Sequence, residues 1–541
     1  MQKSFFYLFL FFFTHSVNTL YAQEKFDIYR WNEIKNEYDF DFKTNNKNKA
    51  LDSLNQIGFY TLQIDSIKAN KIYLNKGKNY KTIWVKNENI FKNSVFNPTN
   101  NLDSILSKVI DENSQKGYAF SNFKIIPKGN INDEQKVEII LNLGELRRID
   151  AVKSINYPKL SKGYIKYGLG LKNGKIYNDE IIENASKVLA NTNYIQQLQT
   201  PQTLFKPDST IVYIYPSKIK SNQFDGIIGF GNDDQGKFKL NGNVLLELNN
   251  VFNGLEQIRL NWIGTANKNT TLDLRVKLPY LFKSPIGSET ELKLFKQDSI
   301  FVNINLDERL FYQLNPNASI GVNLNYTSSN YLLNDITNTA FDDYNKTGFG
   351  ISYNYFLTHP FTLMEGKSYL NIKVSSLKRK ENNFSWTEDL INKTTQQYEI
   401  RLFTYRIFQL AQKHYFKTKI DFSTLMDKRQ SFTENELYRI GGFNSIRGFN
   451  EESIIANMYG IGSLEYRFLP NEAFYINLFT DYAYINNKRN NLNSNLLSFG
   501  TGISFLTKIG IFNLSYAVGK NNNQPFDFNN SKIHFGILSR F

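Results

Sequence analysis

Cysteine is absent from the 541 residues of the chain, which excludes disulfides, thiolate metal ligands and cysteine nucleophiles. The lipid-bearing cysteine of a bacterial lipoprotein is missing for the same reason, so we expect no acyl anchor. Histidine is nearly as scarce, and no pair among the four has the spacing of metal ligands. The sequence also lacks a G-x-S-x-G elbow, a Walker loop and a dinucleotide-binding fingerprint. We therefore expect no catalytic residues, no metal and no cofactor.

Long apolar runs are also missing beyond the first residues. Lys3 is followed by a short apolar segment over 5–13 and then by the small residue Ala22, a pattern that predicts a secretory signal over residues 1–22. That segment is too short to cross a bilayer as a helix, and no later one approaches about 18 uncharged apolar residues. A membrane protein without such a helix must be a closed β-barrel, because only closure satisfies every backbone polar group in hydrocarbon.

Aromatic residues, in contrast, are abundant in a polar chain. There are 45 Phe and 33 Tyr, aromatic residues make up 15% of the sequence, and the mean hydropathy is only −0.43. Transmembrane barrels combine these properties, because one face of each strand meets lipid, the other meets water, and aromatic girdles mark both interfaces. A soluble secreted all-β protein is the alternative on composition alone. The net charge of +14 comes from scattered basic residues without a recognised binding motif, so we expect no nucleic-acid partner.

Residues 24–216 mix helical and strand patterns that recur at intervals of roughly 65–75 residues. Apolar residues at helical spacing, such as Leu102, Leu106 and Val109, alternate along the chain with strand-like runs. The similar order of these runs predicts α+β modules over 24–79 (the faintest), 80–144 and 145–216; unrelated small domains are the alternative. The predicted elements are helices at 49–57, 102–110 and 181–189 and strands at 66–74, 80–85, 119–126, 136–143, 147–155 and 210–215.

The pattern changes after Pro216. Apolar residues now alternate with polar ones, as at Val244, Leu246 and Leu248, and turns rich in Asn, Asp and Gly recur at short intervals. Residues 222–541 number 320, and at roughly 20 residues per strand and connection they predict about 16 strands. The predicted fold is therefore a set of α+β modules followed by a transmembrane antiparallel β-barrel.

A glycine-rich segment, GGFNSIRGF at 441–449, is followed by GSLEYRF at 462–468 and FTDYA at 479–483. Together with the closing strands to Phe541, this series resembles the barrel of the BamA/TamA superfamily of outer-membrane assembly and translocation proteins. The residues that match the family's loop motif are Ile446, Arg447, Gly448 and Phe449. The modules ahead of the barrel then resemble polypeptide-transport-associated (POTRA) modules. The sequence departs from the family at Ala483, where a glycine is usual.

Two carboxylates are predicted to point into one interior from neighbouring strands. Side chains alternate between the two faces of a strand, so Glu465 lies opposite Leu464, and Asp481 lies opposite Leu478 and its outward neighbours. Arginine suits such a site, because its planar fork binds carboxylates in bidentate fashion and stays charged. In the family the motif loop lies inside the barrel. The resemblance therefore implies a structural cluster of Arg447, Glu465 and Asp481; the alternative is that each is an ordinary charge in water.

The first and last predicted strands carry two further signals. The last strand has alternating outward residues that resemble the terminal signal by which assembly machinery recognises barrel clients: Ile533, Phe535, Ile537 and Phe541. The first strand, at 225–232, contains Gly226, Gly229 and Gly231. Glycine weakens the packing between strands, which fits a labile seam, and tight interior packing is the alternative explanation.

The resemblance implies that the chain inserts or translocates other polypeptides at the bacterial outer membrane. Periplasmic modules would bind clients by strand addition, and the barrel would open at a seam between its first and last strands. The implied partners are unfolded outer-membrane or secreted polypeptides, outer-membrane lipid and accessory assembly subunits. One alternative is a two-partner secretion pore that exports a single protein, in which residues 24–45 would be its plug helix; the same residues could instead begin a further module. A passive porin is another, although porins lack such modules and an inward loop.

Overall fold

A computed structural model describes the chain between residues 26 and 539. Within that span, the residues that it does not describe are 33, 45–53, 55–58, 60–61, 78–82, 87–96, 100–101, 132–133, 193, 233–237, 265–268, 334–339, 359–362, 365, 382–393, 429–431, 508–509 and 523–524. The predicted signal at 1–22 and the terminal Phe541 lie outside the described residues. The chain divides into two compact units, with the boundary between Arg147 and Arg148. In the described part of the chain, no helix is both long enough and apolar enough to span a bilayer.

The first unit contains two four-stranded sheets. The strands of the first sheet are β1 (Phe26–Asn32), β2 (Glu37–Thr44), β3 (Gln63–Lys68) and β4 (Lys71–Asn75), in the order β2-β1-β4-β3. The second sheet has the order β6-β5-β8-β7, and its elements are β5 (Ile83–Lys86), β6 (Asn97–Thr99), the helix α1 (Leu102–Gln115), β7 (Asn122–Ile131) and β8 (Glu134–Asn142). Each sheet buries its own apolar set: Ile28, Leu54, Ile72 and Leu74 in the first, and Val85, Leu102, Val137 and Ile139 in the second.

The second unit begins with a third small sheet, in the strand order β10-β11-β9. Its elements are β9 (Ala151–Ser154), a π-helical turn (Tyr164–Gly168), the helix α2 (Asp179–Ala190), β10 (Ile195–Phe205) and β11 (Thr210–Lys218). The side chain of Asn178 caps α2 by accepting a hydrogen bond from the Ile181 amide at 2.8 Å. In all three sheets the first strand runs parallel to the last, and the last two strands pair antiparallel. This shared topology favours repeated modules over unrelated domains.

One of the two alternatives for residues 24–45 is excluded, and one predicted element of the first unit is wrong. The plug helix considered for residues 24–45 is replaced by the antiparallel strands β1 and β2, which are joined by a turn with a φ of 56° at Asn36. Aromatic residues on both faces obscured the period of two: Tyr29, on the face opposite Ile28, stacks on Tyr73 with ring centroids 5.1 Å apart. The single strand predicted over 66–74 is the hairpin of β3 and β4, because the chain turns at Ala69, where φ is 51°.

The other predicted elements overlap the observed ones with shifted ends. The helix predicted at 102–110 extends to Gln115, and the one at 181–189 begins two residues earlier, at Asp179. Of the helix predicted over 49–57, only Leu54 is described, and it is helical. The strand predicted over 147–155 is shorter than expected, since β9 spans only Ala151–Ser154.

The rest of the second unit is an antiparallel sheet of 16 strands, which confirms the predicted count. In sheet order, the strands are β12 (Gln223–Asn232), β13 (Phe238–Asn249), β14 (Gln257–Gly264), β15 (Asn269–Leu278), β16 (Ile286–Gln297), β17 (Phe301–Asn315), β18 (Ala318–Tyr331), β19 (Tyr344–Leu357), β20 (Ser368–Glu381), β21 (Thr394–Ala411), β22 (His414–Asp427), β25 (Met458–Asn471), β26 (Phe474–Asn487), β27 (Leu492–Leu506), β28 (Gly510–Lys520) and β29 (Lys532–Ser539). The strands β23 (Tyr438–Ile440) and β24 (Ile454–Ala456) form a separate pair within the connection from β22 to β25.

Side chains of the barrel strands alternate between an apolar outer face and a polar inner face. On β26, Leu478 and Tyr482 point outward and are 59% and 51% exposed, whereas Phe479 and Asp481 point into the lumen and are buried. The inner face is held in register by pairs on adjacent strands, such as Ser463 opposite Asp481. This alternation is what a barrel wall between lipid and a polar interior requires.

The third small sheet contacts two of the barrel's turns. Tyr157 Oη donates a hydrogen bond of 2.6 Å to Asn253 Oδ1, in the turn between β13 and β14. The ring of Tyr164 meets that of Tyr280, in the turn before β16, with centroids 5.9 Å apart. Gly163 permits this approach, because a Cβ at this position would lie only 2.6 Å from the Cβ of Tyr280.

Replacing Gly163 with alanine is expected to loosen this contact, because the new Cβ would clash with Tyr280. Trypsin should then cleave after the exposed Lys220, between the third small sheet and β12, several times faster than in the parent protein. Gly462→Ala on β25 is the control, since a Cβ there meets no atom within 4 Å. An unchanged rate of cleavage in Gly163→Ala would show that the contact does not hold the sheet in place.

Candidate functional site

The connection 428–457, between β22 and β25, folds back into the lumen, and we call it the inward loop. Because β22 is the eleventh strand counted from β12 and alternate strands run in the same direction, the loop leaves the barrel at the end opposite to the third small sheet. Several of its buried apolar residues pack with inner-face residues of the strands in a cluster that consists of Ile440, Ile446, Ala456, Ile461, Ala483, Ile485 and Leu496.

Arg447, in the inward loop, binds carboxylates on β25 and β26. Its Nε and Nη2 donate to the two carboxylate oxygens of Asp481 at 2.9 and 2.7 Å, which is a bidentate arrangement. Its Nη1 donates to Glu465 Oε2 at 2.7 Å, and its backbone amide donates to Asp481 Oδ2 at 3.1 Å. The structure thus brings together the three residues that the sequence analysis placed in one cluster.

The charges of this cluster are withdrawn from water. Asp481 is 0% exposed, Glu465 6% and Arg447 8%. The guanidinium carbon of Arg447 lies 3.5 Å from the ring centroid of Phe479, so an aromatic face covers one side of the charge. Unpaired charges at this depth would be very costly, and each one here has an opposite charge within hydrogen-bonding distance. This burial argues against three independent charges in water.

Two members of the site were missed at the level of sequence. Arg467 Nε donates to Glu465 Oε1 at 2.7 Å, so Glu465 bridges two guanidinium groups. Phe479 provides the aromatic cover of Arg447. The signal for both was present, because Arg467 and Phe479 each lie two residues from a predicted inward carboxylate and therefore share its face.

The neighbours of Arg447 in the motif fit closely against the wall. Gly448 has a φ of 86°, and a Cβ there would lie 2.9 Å from the backbone nitrogen of Gly519 on β28, so both the backbone and the available space favour glycine. Phe449 packs against the apolar cluster, and Ile446 is part of it. Ala483 is fully buried in the same cluster, which shows that a methyl group fits where the family usually has glycine.

The first and last strands of the sheet, β12 and β29, lie side by side. Among the described residues, β12 forms a ladder with β13, β29 forms one with β28, and none joins β12 to β29. On β29, Ile533 points outward and is 71% exposed. Phe535 and Ile537 also lie on β29, but their side chains, like Phe541, are outside the described residues. The three glycines predicted at the seam all lie on β12: Gly226, Gly229 and Gly231.

A polar cavity of about 540 Å³ remains in the lumen beside the inward loop. Charges on its wall are paired between neighbouring strands, as in Arg275 with Glu291 at 3.1 Å. The residues that the structure describes contain no group of three His, Asp or Glu side chains arranged to hold a metal ion. The candidate functional site therefore consists of the inward loop with its charged partners, together with the seam.

A 16-stranded sheet with an apolar outer face and a buried loop on its inner face defines the class of transmembrane β-barrels. A sequence profile described as the Omp85 superfamily domain matches residues 250–541. This match covers more than half of the chain, which therefore belongs to the Omp85 superfamily, and the resemblance to BamA and TamA is confirmed at that level. The comparison with curated proteins gives no match.

Solved structures with a similar fold include two CdiB proteins. CdiB from Acinetobacter baumannii has a TM-score of 0.54 and 16% identity, over 85% of this chain and 90% of that one. CdiB from Escherichia coli has a TM-score of 0.54 and 13% identity, over 91% of this chain and 96% of that one. BamA from Haemophilus ducreyi lacking POTRA domains 1–3 has a TM-score of 0.47 and 14% identity, over 83% of this chain and 95% of that one. At these identities the CdiB likeness concerns the fold alone.

Replacing Arg447 with alanine is expected to destabilise the barrel by about 3–5 kcal/mol, because Asp481 and Glu465 would stay buried without their shared cation. The measurement is denaturant unfolding of the purified protein, followed by the change in gel mobility between the folded and the heated barrel. Arg259→Ala is the control, since Arg259 pairs with Glu247 at a more exposed position, where its side chain is 42% exposed. If both variants unfold like the parent protein, Arg447 does not anchor the loop.

Proposed function

We propose that this protein inserts or translocates other polypeptides at the outer membrane and that its role is not catalytic. The observation that carries the proposal is the seam: β12 and β29 are neighbours, and the described residues contain no ladder between them. A barrel strand without a partner on one side can accept a client strand through main-chain hydrogen bonds. Membership of the Omp85 superfamily supports the same role.

The three small sheets are proposed to be POTRA modules on the periplasmic side of the membrane. Each places an antiparallel hairpin beside a parallel first strand, and each leaves strands at the edges of its sheet. In the third module, β10 has 11 residues, and its described ladder is with β11 alone. An extended client could add to such an edge with little demand on its sequence, as strand addition requires. Accessory assembly subunits are proposed as further partners.

Export of a single dedicated protein is the second candidate function. The CdiB structures share the fold of this chain over most of its length, which is compatible with this second candidate. The strands β1 and β2, however, lie where such an exporter would have its plug helix, and three small sheets precede the barrel. These two features favour an assembly factor. A passive porin is disfavoured, because the inward loop occupies part of the lumen of this barrel.

Depletion of the protein, followed by proteomics of the outer membrane, tests the proposal. An assembly factor should produce a loss of many barrel proteins, because clients that cannot insert are degraded in the periplasm. Loss of one secreted product alone would indicate the dedicated exporter. An unchanged outer membrane would contradict both, and an otherwise isogenic strain that carries the gene on a plasmid serves as the control.

The seam is expected to be the least stable part of the barrel wall. In lipid nanodiscs, backbone amides of β12 and β29 should exchange with deuterium at least about tenfold faster than those of β26, which has ladders on both sides. The glycines on β12 add to this effect by reducing packing between side chains. Equal protection of the three strands would contradict a labile seam.

A further inference from the structure

The inward loop is held at a second place, far from Arg447. Its first part, residues 432–440, lies against the wall formed by β16 to β21, and we call it the far limb. Phe432 and Leu437 of the far limb are buried in an apolar cluster with Leu377 on β20 and Leu425 on β22. Arg447 and its partners, in contrast, lie against β25 and β26. The loop therefore contacts two separate parts of the wall.

Glu436 is the charged centre of the far limb, and its side chain is fully buried. Its Oε1 accepts hydrogen bonds from Lys346 Nζ on β19 and from Gln397 Nε2 on β21, each at 2.7 Å. Its Oε2 lies 3.4 Å from Nε of Arg379 on β20. One carboxylate thus joins three consecutive strands of the wall to the loop.

Asn435 extends this attachment to the neighbouring strands. Its carbonyl oxygen accepts from Asn303 Nδ2 on β17 at 2.6 Å and from Tyr344 Oη on β19 at 3.1 Å. Its own Nδ2 donates to Ser329 Oγ on β18 and to the carbonyl of Asp342, both at 2.7 Å. The main-chain oxygen and the side-chain Nδ2 of Asn435 therefore both hold the far limb in place.

Two further residues continue the contact towards β16 and β21. Tyr438 Oη donates to Glu399 Oε1 on β21 at 2.8 Å. Arg439 Nη2 donates to Gln297 Oε1 on β16 at 2.7 Å, and its guanidinium lies 5.5 Å from the ring centroid of Phe301. The far limb consequently touches all strands from β16 to β21.

The part of the inward loop between Glu436 and Arg447 is attached to the wall at both ends, and it cannot leave the lumen while both attachments hold. The Arg447 cluster fixes the loop on the side of the barrel that includes β25 and β26, and Glu436 fixes it on the side that includes β19 to β21. Both attachments are ion pairs with little exposure to water, so removal of Glu436 or Arg447 would leave buried charges poorly compensated. The loop then crosses the lumen and is attached to the wall at both Glu436 and Arg447.

We propose that Glu436 is a positioning residue that locks the far limb against the wall and closes the lumen at the end opposite to the third small sheet. The inference goes beyond the proposed function, because it concerns the passage of ions through the barrel and holds whichever client the protein handles. It also differs from a role in stability alone. A residue that only stabilised the barrel would change its unfolding, whereas a lock also changes how often the lumen is open.

Single-channel recording of the purified full-length protein in planar bilayers tests the lock. Glu436→Gln keeps the shape of the side chain but removes the charge that pairs with Lys346, whereas Arg379 keeps Asp342 and Glu381 as partners. The ratio of open to closed time should therefore rise at least about tenfold. Glu291→Gln is the matched control, because it removes a lumen carboxylate whose partner is Arg275 on β15. Its open-to-closed ratio should equal that of the parent protein. Gel mobility before and after heating verifies that each barrel is folded.

Cross-linking is the second test. Because the chain has no native cysteine, only the introduced thiols can react. Asn435→Cys and Ser329→Cys place thiols where two polar atoms now lie 2.7 Å apart. A short bifunctional thiol reagent should join them in native membranes and return the Glu436→Gln variant to the closed state. The proposal is overturned if Glu436→Gln folds and gates like the parent, or if the cysteines do not cross-link in the otherwise unchanged chain.

Discussion

The buried charge of Arg447 is the constraint on which the rest of the barrel's interior depends. A guanidinium at 8% exposure must be neutralised and hydrogen-bonded, and Asp481 and Glu465 do both. That requirement fixes the faces of β25 and β26, because a shift of one residue in register would turn both carboxylates towards lipid. It also brings the loop backbone so close to β28 that a glycine is needed at position 448. One ion pair therefore sets the register, the path of the loop and the choice of residue beside it.

The same principle of local pairing governs the remainder of the lumen. Arg275 on β15 pairs with Glu291 on β16, and Arg309 on β17 pairs with Glu289 on β16. Each pair joins adjacent strands, where side chains of the same face are only about 5 Å apart. Although the chain carries a net charge of +14, its inner wall thus contains compensated pairs. A wall of this kind can tolerate a loop that carries both signs, and the inward loop does so with Glu436 and Arg447.

The barrel and the inward faces of Glu465 and Asp481 could be predicted from the sequence because both leave local signals, whereas the inward position of Arg447 was implied by the family resemblance. Period-two alternation gives the strands, and the spacing of Glu465 and Asp481 relative to their apolar neighbours gives the faces. The strands β1 and β2 were missed, since aromatic residues such as Tyr29 give them apolar side chains on both faces. Glu436 was missed for a different reason. Its partners Lys346 and Arg379 lie far away in the chain, and a polar residue in a connection carries no period that could indicate burial.

Two features of this protein go beyond what a simple barrel wall requires. Sixteen antiparallel strands with an apolar outside would suffice for a diffusion pore, and such a pore gains by closing every ladder and keeping its lumen free. The described part of this chain differs from such a pore in both respects. The described residues contain no ladder between β12 and β29, and the lumen contains a loop with buried charges on two sides. Unsatisfied strand edges and desolvated charges both cost stability. If β12 and β29 can separate while the loop keeps the lumen closed, a barrel can pass or insert a polypeptide and still exclude small solutes.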